Sequence, residues 1–487
     1  MTRLYEWKIG IALSLIFVTT AISAHAQTYT SFSFNRTNGQ AADAALTQGI
    51  DGDLYGTTLS GGAYDSGTIF GISPTDNLIR VYSFCGGSCS ENPLPFAALT
   101  LAMNGDFYGT SQEGGANDAG MIFKISTAGN YQTVYSFCSQ ANCVDGKNPE
   151  VSLVLGMDGN LYGATSNGGA NGRGTMFKMT TGGKLTTLYD FCFSLGCSDG
   201  ASPNGLIQAN DGNFYGTTYY GGNTSNNCNG GCGTVFKMTP DGSLTTLYAF
   251  CVQNNCPDGN NPFGGVIQAS DGNFYGTTSG SECVNGDCGT VFGITPTGNL
   301  TTLYHFTGGE DGYVPQAGLV QATDGNLYGM TYRGGQFGYG TIFDIPLKGT
   351  LSTLYSFCAA ANCKDGAYPS SALIQGTNGN LYGTTSYGGN TKACSFGCGT
   401  VYQLDMGLGR FVTFVLASGR VGQTGGILGQ GFTGTTSVML NGVPANFTVV
   451  SDTYIRATVP AGATTGYVMV ATPSGALTSN VPFHVIP

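Results

Sequence analysis

Short apolar segments alternate with glycine-rich turns along most of this 487-residue chain. Seven of the segments end in Leu-Tyr-Gly or Phe-Tyr-Gly, and the tyrosines of this phrase are Tyr55, Tyr108, Tyr162, Tyr215, Tyr275, Tyr328 and Tyr382. Successive tyrosines are 53 to 60 residues apart. A period this regular indicates one supersecondary unit copied in tandem, so the chain is interpreted copy by copy.

One complete copy, residues 205–250, divides into four short segments that we label a to d. Segments a and b flank Asp211-Gly212, a two-residue hairpin turn in which glycine supplies the positive φ. Segment c alternates apolar and polar residues with the period of a strand, and Pro240-Asp241-Gly242 turns the chain into segment d. Four antiparallel strands in a copy of this length predict one blade of a β-propeller. The predicted strands are 205–209, 213–218, 233–239 and 244–250.

The two ends of the repeat region complement each other. Residues 29–34 match the strand d pattern of 353–357, whereas the last copy ends after its strand c at 399–404. A first strand that completes the last copy removes a free sheet edge, as a closed ring requires. The sequence therefore predicts an all-β protein in which residues 27–405 form a seven-bladed β-propeller closed by an N-terminal strand.

The repeated phrases also resemble a known family. Asp-Gly-Asn-Leu/Phe-Tyr-Gly-Thr-Thr, then Gly-Gly, Gly-Thr-Val-Phe and Leu-Thr-Thr-Leu-Tyr-x-Phe-Cys are similar to the GloVer tandem repeats of secreted bacterial proteins over residues 28–405. This resemblance implies no activity and no catalytic residues. WD40 repeats are excluded because no copy contains a Trp-Asp pair.

The period is lost after a predicted linker at 406–410. Segments at 438–442, 455–460 and 468–475 give residues 411–487 a resemblance to the IPT/TIG immunoglobulin-like domain, which is a small β-sandwich. The resemblance implies a spacer, a dimerisation unit or a recognition unit, and it assigns no chemistry.

Residues 1–26 have the pattern of a secretory signal peptide. Arg3 and Lys8 flank the start of an apolar run at 9–18, and Ala24-His25-Ala26 has the spacing of a cleavage site. A membrane anchor is the alternative, but the run is too short to span a bilayer comfortably. We therefore expect a secreted or bacterial cell-surface protein without a transmembrane segment after signal cleavage.

The composition is typical of an all-β protein and argues against one class of partner. Charged residues make up 9% of the chain and glycine 80 of its 487 residues, as suits short strands and tight turns. The net charge of −11 argues against a nucleic-acid partner, because phosphate backbones are bound by clustered lysine and arginine.

All 16 cysteines fall into close pairs. Copies that lack one member of a pair also lack the other, which favours disulfides in an exported protein. Zinc is the alternative, but Cys-x-x-Cys spacing and accompanying histidines are absent from the sequence. Five pairs follow strand d, namely Cys85 with Cys89, Cys138 with Cys143, Cys192 with Cys197, Cys251 with Cys256, and Cys358 with Cys363. Three pairs precede strand c, namely Cys228 with Cys232, Cys283 with Cys288, and Cys394 with Cys398.

The d-to-a and b-to-c connections of an antiparallel blade emerge on the same face, which we call the loop-rich face. The opposite face carries the tight a-to-b and c-to-d turns, and we call it the hairpin face. All eight predicted disulfides lie on the loop-rich face, where each stabilises a short loop by roughly 2 kcal/mol. Rigid loops on a rigid scaffold are common binding sites.

Aspartates precede strand a in five of the loop-rich connections. If strand a lies innermost, these carboxylates surround the channel mouth, and calcium is the cation that such oxygen ligands favour. The alternative is that each Asp-Gly pair shapes a turn. A second series, in the a-to-b hairpins, is interpreted as structural because asparagine replaces aspartate in two copies. The candidate calcium ligands are Asp145, Asp199, Asp258, Asp311 and Asp365.

Aromatic residues and two arginines vary among the b-to-c loops. Tyrosine stacks on sugar faces and supplies a hydroxyl, so these residues are candidates for a glycan platform. The alternative is that they cover the blade tops, and the lack of tryptophan after Trp7 weakens the glycan hypothesis. The candidate ligand-binding residues are Tyr64, Arg173, Tyr219, Tyr220, Tyr332, Arg333, Phe337, Tyr339 and Tyr387.

The sequence offers little for catalysis, because His305 and His484 are its only histidines after residue 26 and neither belongs to a recognisable triad. Our first hypothesis is an exported, non-catalytic binding or adhesion protein that recognises a glycan or a protein through the loop-rich face. The alternatives are a secreted polysaccharide hydrolase or lyase that uses the same face, for which two loop acids would suffice, and a structural envelope protein.

Overall fold

The computed structural model describes residues 28–73, 78–85, 93–223, 228–253, 255–283 and 286–486. These residues form β-strands joined by turns and loops, and three short 3-10 segments lie at Ala141–Cys143, Leu195–Cys197 and Ala361–Cys363. The predicted signal peptide lies outside the described residues. Within them, no helix has the length and apolar character that crossing a membrane requires.

The described part of the repeat region contains seven four-stranded antiparallel sheets, numbered here 1 to 7 in chain order. Sheet 1 consists of β2 (Thr47–Gln48), β3 (Leu54–Thr58), β4 (Thr68–Ile72) and β5 (Leu78–Ser83). Sheet 2 consists of β6 (Thr100–Leu101), β7 (Phe107–Ser111), β8 (Met121–Ile125) and β9 (Tyr131–Ser136). Sheet 3 consists of β10 (Val154–Leu155), β11 (Leu161–Thr165), β12 (Thr175–Met179) and β13 (Leu185–Asp190). Within each sheet the strands pair in chain order, as the four-segment pattern predicts.

Sheets 4 to 7 continue the series, and sheet 5 has a small extra hairpin in its b-to-c loop. Sheet 4 consists of β14 (Ala201–Gln208), β15 (Phe214–Tyr220), β16 (Thr234–Met238) and β17 (Leu244–Ala249), and sheet 5 of β18 (Asn260–Gln268), β19 (Phe274–Gly280), β22 (Thr290–Ile294) and β23 (Leu300–His305), with the extra strands β20 (Glu282–Cys283) and β21 (Gly286–Asp287). Sheet 6 consists of β24 (Val320–Gln321), β25 (Leu327–Thr331), β26 (Thr341–Ile345) and β27 (Ser352–Ser356). Sheet 7 contains β28 (Ile374–Gln375), β29 (Leu381–Thr385) and β30 (Thr400–Asp405).

The fourth strand of sheet 7 comes from the start of the chain. Strand β1 (Thr28–Ser33) pairs antiparallel with β30, from Thr28 opposite Asp405 to Ser33 opposite Thr400. Sheet 7 also contacts sheet 1, because the Gln48 side-chain amide donates a hydrogen bond to the Thr377 hydroxyl over 2.8 Å. The predicted complementarity of the two termini therefore exists as a strand pair.

The repeated Tyr-Gly phrase lies in the buried strand b of each sheet. Tyr215 stacks on Phe274 of the next sheet with ring centroids 4.0 Å apart, and Tyr162 packs on Phe214 at 4.2 Å. The glycine after Tyr215 leaves room for strand c, because a Cβ on Gly216 would lie 2.6 Å from the Phe236 ring. The phrase thus builds the contact between sheets and the packing within one.

Residues after 410 form a β-sandwich. One sheet has the order β31 (Thr413–Phe414), β33 (Thr424–Leu428), β37 (Tyr454–Thr458) and β36 (Phe447–Ser451). The other has the order β35 (Val443–Pro444), β34 (Ser437–Leu440), β38 (Val468–Thr472) and β39 (Gly475–Thr478), and β32 (Ser418–Arg420) pairs in parallel with β40 (His484–Ile486).

The sandwich packs against the hairpin face of the repeat region. The Thr453 hydroxyl donates to the Ile50 carbonyl over 2.8 Å, and Leu428 and Tyr454 share a buried cluster with Tyr55 of sheet 1. This contact leaves the loop-rich face as the open side of the repeat region.

Candidate functional site

The structure confirms six of the eight predicted disulfides on the loop-rich face. Each bridge closes a loop of four or five residues beside strand c or strand d. The six bridges are Cys138–Cys143, Cys192–Cys197, Cys228–Cys232, Cys251–Cys256, Cys358–Cys363 and Cys394–Cys398.

The other two predicted disulfides are not confirmed as pairs. Cys89 lies outside the described residues, so the predicted bridge from Cys85 to Cys89 is not among those found and stays a prediction. Cys288 is buried and disulfide-bonded, as predicted, but the side chain of its predicted partner Cys283 lies outside the described part of the chain. The pairing of Cys288 with Cys283 therefore also stays a prediction.

The five aspartates of the calcium hypothesis lie against strand d. Each accepts a hydrogen bond over 2.7 to 3.1 Å from a strand d tyrosine, and each also accepts a backbone N–H from the loop that follows the strand. The carboxylates therefore anchor the loops, and a calcium site at them stays a prediction. The Tyr–Asp pairs are Tyr135–Asp145, Tyr189–Asp199, Tyr248–Asp258, Tyr304–Asp311 and Tyr355–Asp365.

These bonds also affect the charge of the anchors. Burial by itself raises the pKa of Asp199, but the Phe193 N–H and the Ser194 hydroxyl stabilise the carboxylate and bring its pKa below the usual value. The anchor of this loop is therefore an ionised carboxylate at neutral pH.

A different position, close to the start of strand a, changes from sheet to sheet. Strand pairing aligns it: Lys147 pairs with Asn167 in sheet 3, and Ala201 pairs with Tyr220 in sheet 4. The residue three places after the paired one is Glu150 in sheet 3 and Asn204 in sheet 4. We call this place the variable position. In sheets 1 to 7 it holds Asp43, Phe96, Glu150, Asn204, Phe263, Gln316 and Ser370.

The variable positions of sheets 3 to 5 line one cavity of about 310 Å³. Its aromatic walls are Tyr219, Tyr220 and Phe263, with Tyr219 perpendicular to Tyr220 at 4.7 Å and to Phe263 at 5.8 Å. Tyr220 is 39% exposed and Phe263 45% exposed, so both rings present surface to solvent. We call this group of residues, with Glu150 and Asn204, the aromatic cavity.

Glu150 is the acidic group of the aromatic cavity. Its Oε1 accepts hydrogen bonds from the Gln112 amide over 2.5 Å and from the Ser166 hydroxyl over 3.2 Å. Within the described residues Oε2 accepts no hydrogen bond, and the side chain is exposed to solvent in the cavity. The surrounding protein desolvates the carboxylate and raises its pKa, against the two hydrogen bonds that lower it. One carboxyl oxygen is thus available to a ligand.

A second aromatic group lies on sheets 6 and 7. The ring of Tyr368 is its centre, with Tyr332 at 5.1 Å, Tyr339 at 5.3 Å and Tyr387 at 5.7 Å. The Arg333 guanidinium lies over the Tyr332 ring at 5.8 Å. We call these residues the tyrosine cluster.

Asp43 lies beside the tyrosine cluster. Burial raises the pKa of Tyr332, and the charges of Tyr387 and Asp43 add to that shift. Its Oδ1 accepts hydrogen bonds from the Ser370 and Ser386 hydroxyls of sheet 7. Burial raises the pKa of Asp43, and these two bonds oppose the shift.

The structure brings together six of the nine candidate ligand-binding residues. Tyr219 and Tyr220 lie in the aromatic cavity, and the remaining four lie in the tyrosine cluster. Tyr64 is 52% exposed and Phe337 is 41% exposed, and both lie outside the two groups, as does the exposed Arg173. Sequence reasoning missed Asp43, Glu150, Phe263 and Tyr368. Aligning the copies at the start of strand a would have shown that Asp43, Glu150 and Phe263 occupy one position whose residue type varies among the copies.

The fold and the loops define a class, an all-β tandem-repeat protein with a disulfide-bearing loop face and a C-terminal sandwich. The profile of the Gloeobacter/Verrucomicrobia repeat matches residues 15–153, 89–254 and 222–446. The chain belongs to the Gloeobacter/Verrucomicrobia repeat family. Residues 412–485 match the IPT/TIG domain, as the sequence predicted.

The chain is also similar to solved structures. Virginiamycin B lyase of Staphylococcus aureus is 13% identical, with 78% of this chain and 99% of that chain covered and a TM-score of 0.50. A copper-bound fungal alcohol oxidase is 11% identical, with 94% and 99% covered and a TM-score of 0.48. At these identities the likeness concerns the fold alone. No curated protein matches the sequence.

Proposed function

We propose that this is an exported binding protein whose aromatic cavity recognises a glycan. Residues 1–26 would direct export, residues 27–405 would carry the site, and residues 411–487 would act as spacer or dock. The family membership, the IPT/TIG domain and the six disulfides support a secreted or cell-surface protein. The observation that carries the glycan proposal is the cavity of about 310 Å³ with two exposed rings and an open carboxyl oxygen.

We further propose that the seven sheets close into a ring. The pairing of β1 with β30 and the hydrogen bond between Gln48 and Thr377 support closure between sheets 7 and 1. In such a ring the variable positions surround the mouth of a central channel. Ligand contacts from adjacent sheets would then converge there.

The cavity fits a sugar in its chemistry. Tyr220 and Phe263 offer apolar ring faces for the C–H side of a pyranose, and the Glu150 Oε2 offers an acceptor for its hydroxyls. The Asn204 amide nitrogen donates one N–H to the Pro262 carbonyl and has a second N–H for a ligand hydroxyl. Because the disulfides and aspartate anchors already hold the surrounding loops, little ordering is required on binding.

A glycan array with the mature protein, followed by calorimetry on the best oligosaccharide, tests this function. We expect Tyr220→Ala and Phe263→Ala each to weaken binding at least tenfold, since each removes a stacking face. Tyr64→Ala is the matched control, because Tyr64 is an exposed loop tyrosine outside the cavity. Absence of any glycan ligand, or equal loss in the control, would contradict the proposal and favour a structural envelope role.

A polysaccharide hydrolase or lyase is the second candidate, favoured by the raised pKa values of Glu150 and Asp43. A carboxyl group with a raised pKa retains its proton to higher pH and can act as a general acid. New reducing ends or unsaturated products from polysaccharides, lost in Glu150→Gln or Asp43→Asn, would support the enzyme. Binding without product supports the first proposal.

A further inference from the structure

Two disulfides of sheet 4 lie side by side on the loop-rich face. Sheet 4 is the one repeat whose sequence has a cysteine pair both before strand c and after strand d. Cys228–Cys232 belongs to the first loop and Cys251–Cys256 to the second. The four Sγ atoms all lie within 4.8 Å of one another.

Three of the four cysteines are buried, Cys228 is partly buried, and the group is fixed to the scaffold. Cys232, Cys251 and Cys256 are at most 2% exposed and pack in the hydrophobic core cluster that includes Phe250 and Phe292. Backbone hydrogen bonds hold the loops, including one from the Asn261 N–H of sheet 5 to the Cys232 carbonyl over 2.8 Å. Contacts other than the two disulfides therefore hold the loops that carry the four sulfur atoms.

We propose that, once reduced, Cys228, Cys232, Cys251 and Cys256 bind one Zn²⁺ as a tetrathiolate site. Tetrahedral zinc with Zn–S bonds of about 2.3 Å holds its sulfur atoms about 3.8 Å apart, a spacing that this group reaches with small side-chain movements. Each disulfide takes up two electrons and two protons and yields two thiols. Two thiols of a reductant supply both and become a disulfide, or one phosphine supplies the electrons and becomes a phosphine oxide while water supplies the protons and the oxygen. Zinc binding then displaces the four thiol protons, so that four thiolates surround the metal.

A buried oxygen in the same loop gives independent support. Asp258 is 9% exposed, and its Oδ2 accepts hydrogen bonds from Tyr248 and the Val252 N–H. Its Oδ1 has no hydrogen-bond partner within the described residues. In the loop of sheet 6 that follows β27, by contrast, the corresponding Asp365 Oδ1 accepts the Ala360 N–H. The sheet 4 loop therefore keeps an unused hydrogen-bond acceptor two residues after Cys256, available to a donor beside the zinc-bound sulfur atoms.

The test uses the mature chain, reduced without oxygen by a phosphine, freed of reductant and titrated with Zn²⁺ against a chromophoric chelator. We expect one tight zinc per chain, and Co²⁺ in its place should give the intense visible absorption of a tetrahedral thiolate complex. The double variants Cys228→Ser/Cys232→Ser and Cys251→Ser/Cys256→Ser should each lower the affinity at least a hundredfold. Cys138→Ser/Cys143→Ser is the control, since it removes a disulfide that has no second pair in its sheet.

Tyrosine near-ultraviolet circular dichroism monitors the fold of every sample. Tight zinc that persists in either sheet 4 double variant, or that disappears equally in the control, would overturn the proposal. So would a reduced protein that binds no zinc, or one that loses its tyrosine signal and does not regain it with zinc.

Discussion

The hairpin face and the loop-rich face use the same residue types for different purposes. On the hairpin face, an aspartate in the a-to-b turn accepts a hydrogen bond from the tyrosine four residues later. This happens in five sheets with nearly the same geometry, at 2.5 to 3.0 Å. The pairs are Asp51–Tyr55, Asp158–Tyr162, Asp211–Tyr215, Asp271–Tyr275 and Asp324–Tyr328.

On the loop-rich face, the variable position holds six different residue types in seven sheets. Two of them, Asp43 and Glu150, are acids with a raised pKa, and Phe263 is an exposed ring. A position that every copy fills alike serves the packing that all copies share. A position that varies among the copies is free to form one specific site, and the aromatic cavity lies where three such positions meet.

The largest expected difference between the faces is in stability. Tyr215→Ala removes a buried ring that stacks on Phe274 and should lower the free energy of unfolding by about 3–5 kcal/mol. Tyr220→Ala removes an exposed ring and should change it by less than about 1 kcal/mol. Urea unfolding followed by circular dichroism measures both. Equal losses would mean that the cavity tyrosine is as structural as the repeated one.

The loop anchors should come next in size. Asp145→Asn replaces a fully buried carboxylate that accepts hydrogen bonds from the Tyr135 hydroxyl and two backbone N–H groups. We expect the free energy of unfolding to fall by about 2 kcal/mol. The loss should be the same with a chelator and with millimolar calcium. If calcium instead raises the melting temperature of the parent protein and not of the variant, Asp145 is a calcium ligand.

A smaller effect is expected from a single hydroxyl of the hairpin face. Tyr275→Phe keeps the ring but loses the hydrogen bond to Asp271. Burial first, and then this hydrogen bond, raise the pKa of Tyr275 to about 12. We expect a loss of about 1 kcal/mol in unfolding free energy. Tyr64→Phe is the comparison, because that tyrosine is exposed, and it should leave stability unchanged. A full-sized loss for Tyr64→Phe would remove the distinction between the faces.

Most of the fold could be predicted because it repeats. Every copy carries the same turn at positions such as Asp211-Gly212 and the same Tyr-Gly phrase, so seven weak strand patterns reinforce one another. The docking of the sandwich on the hairpin face could not be predicted. It depends on single contacts, such as Thr453 with Ile50, that belong to no repeated pattern.

The sequence predicted that the site lies on the loop-rich face, but it predicted only some of the residues of the site. Tyr219 and Tyr220 could be predicted because they are aromatic residues in a b-to-c loop. Glu150 and Phe263 could not, since each is a single residue near a two-residue strand a or within an irregular one. Their convergence depends on which sheets are adjacent and on the aligned starts of strand a, which become visible once the strands are paired.

The smallest expected effect is a difference in pH dependence. Burial raises the pKa of Asp211, but hydrogen bonds from Asn213 and Lys237 outweigh it and lower the pKa. The carboxylate therefore stabilises the fold above the unfolded pKa of about 3.9, and this contribution is lost as the pH falls through the folded pKa. Glu150 has a raised pKa, so its contribution is present in acid and is lost as the pH rises through the folded value. Asp211→Asn should therefore flatten the acid side of the stability profile, while Glu150→Gln should slightly stabilise the protein near neutral pH. Urea midpoints from about pH 3 to 7 measure both slopes. Slopes of the same sign would show that the acid of the cavity is stabilised by the fold, as the hairpin acids are, and is not held ready for a ligand.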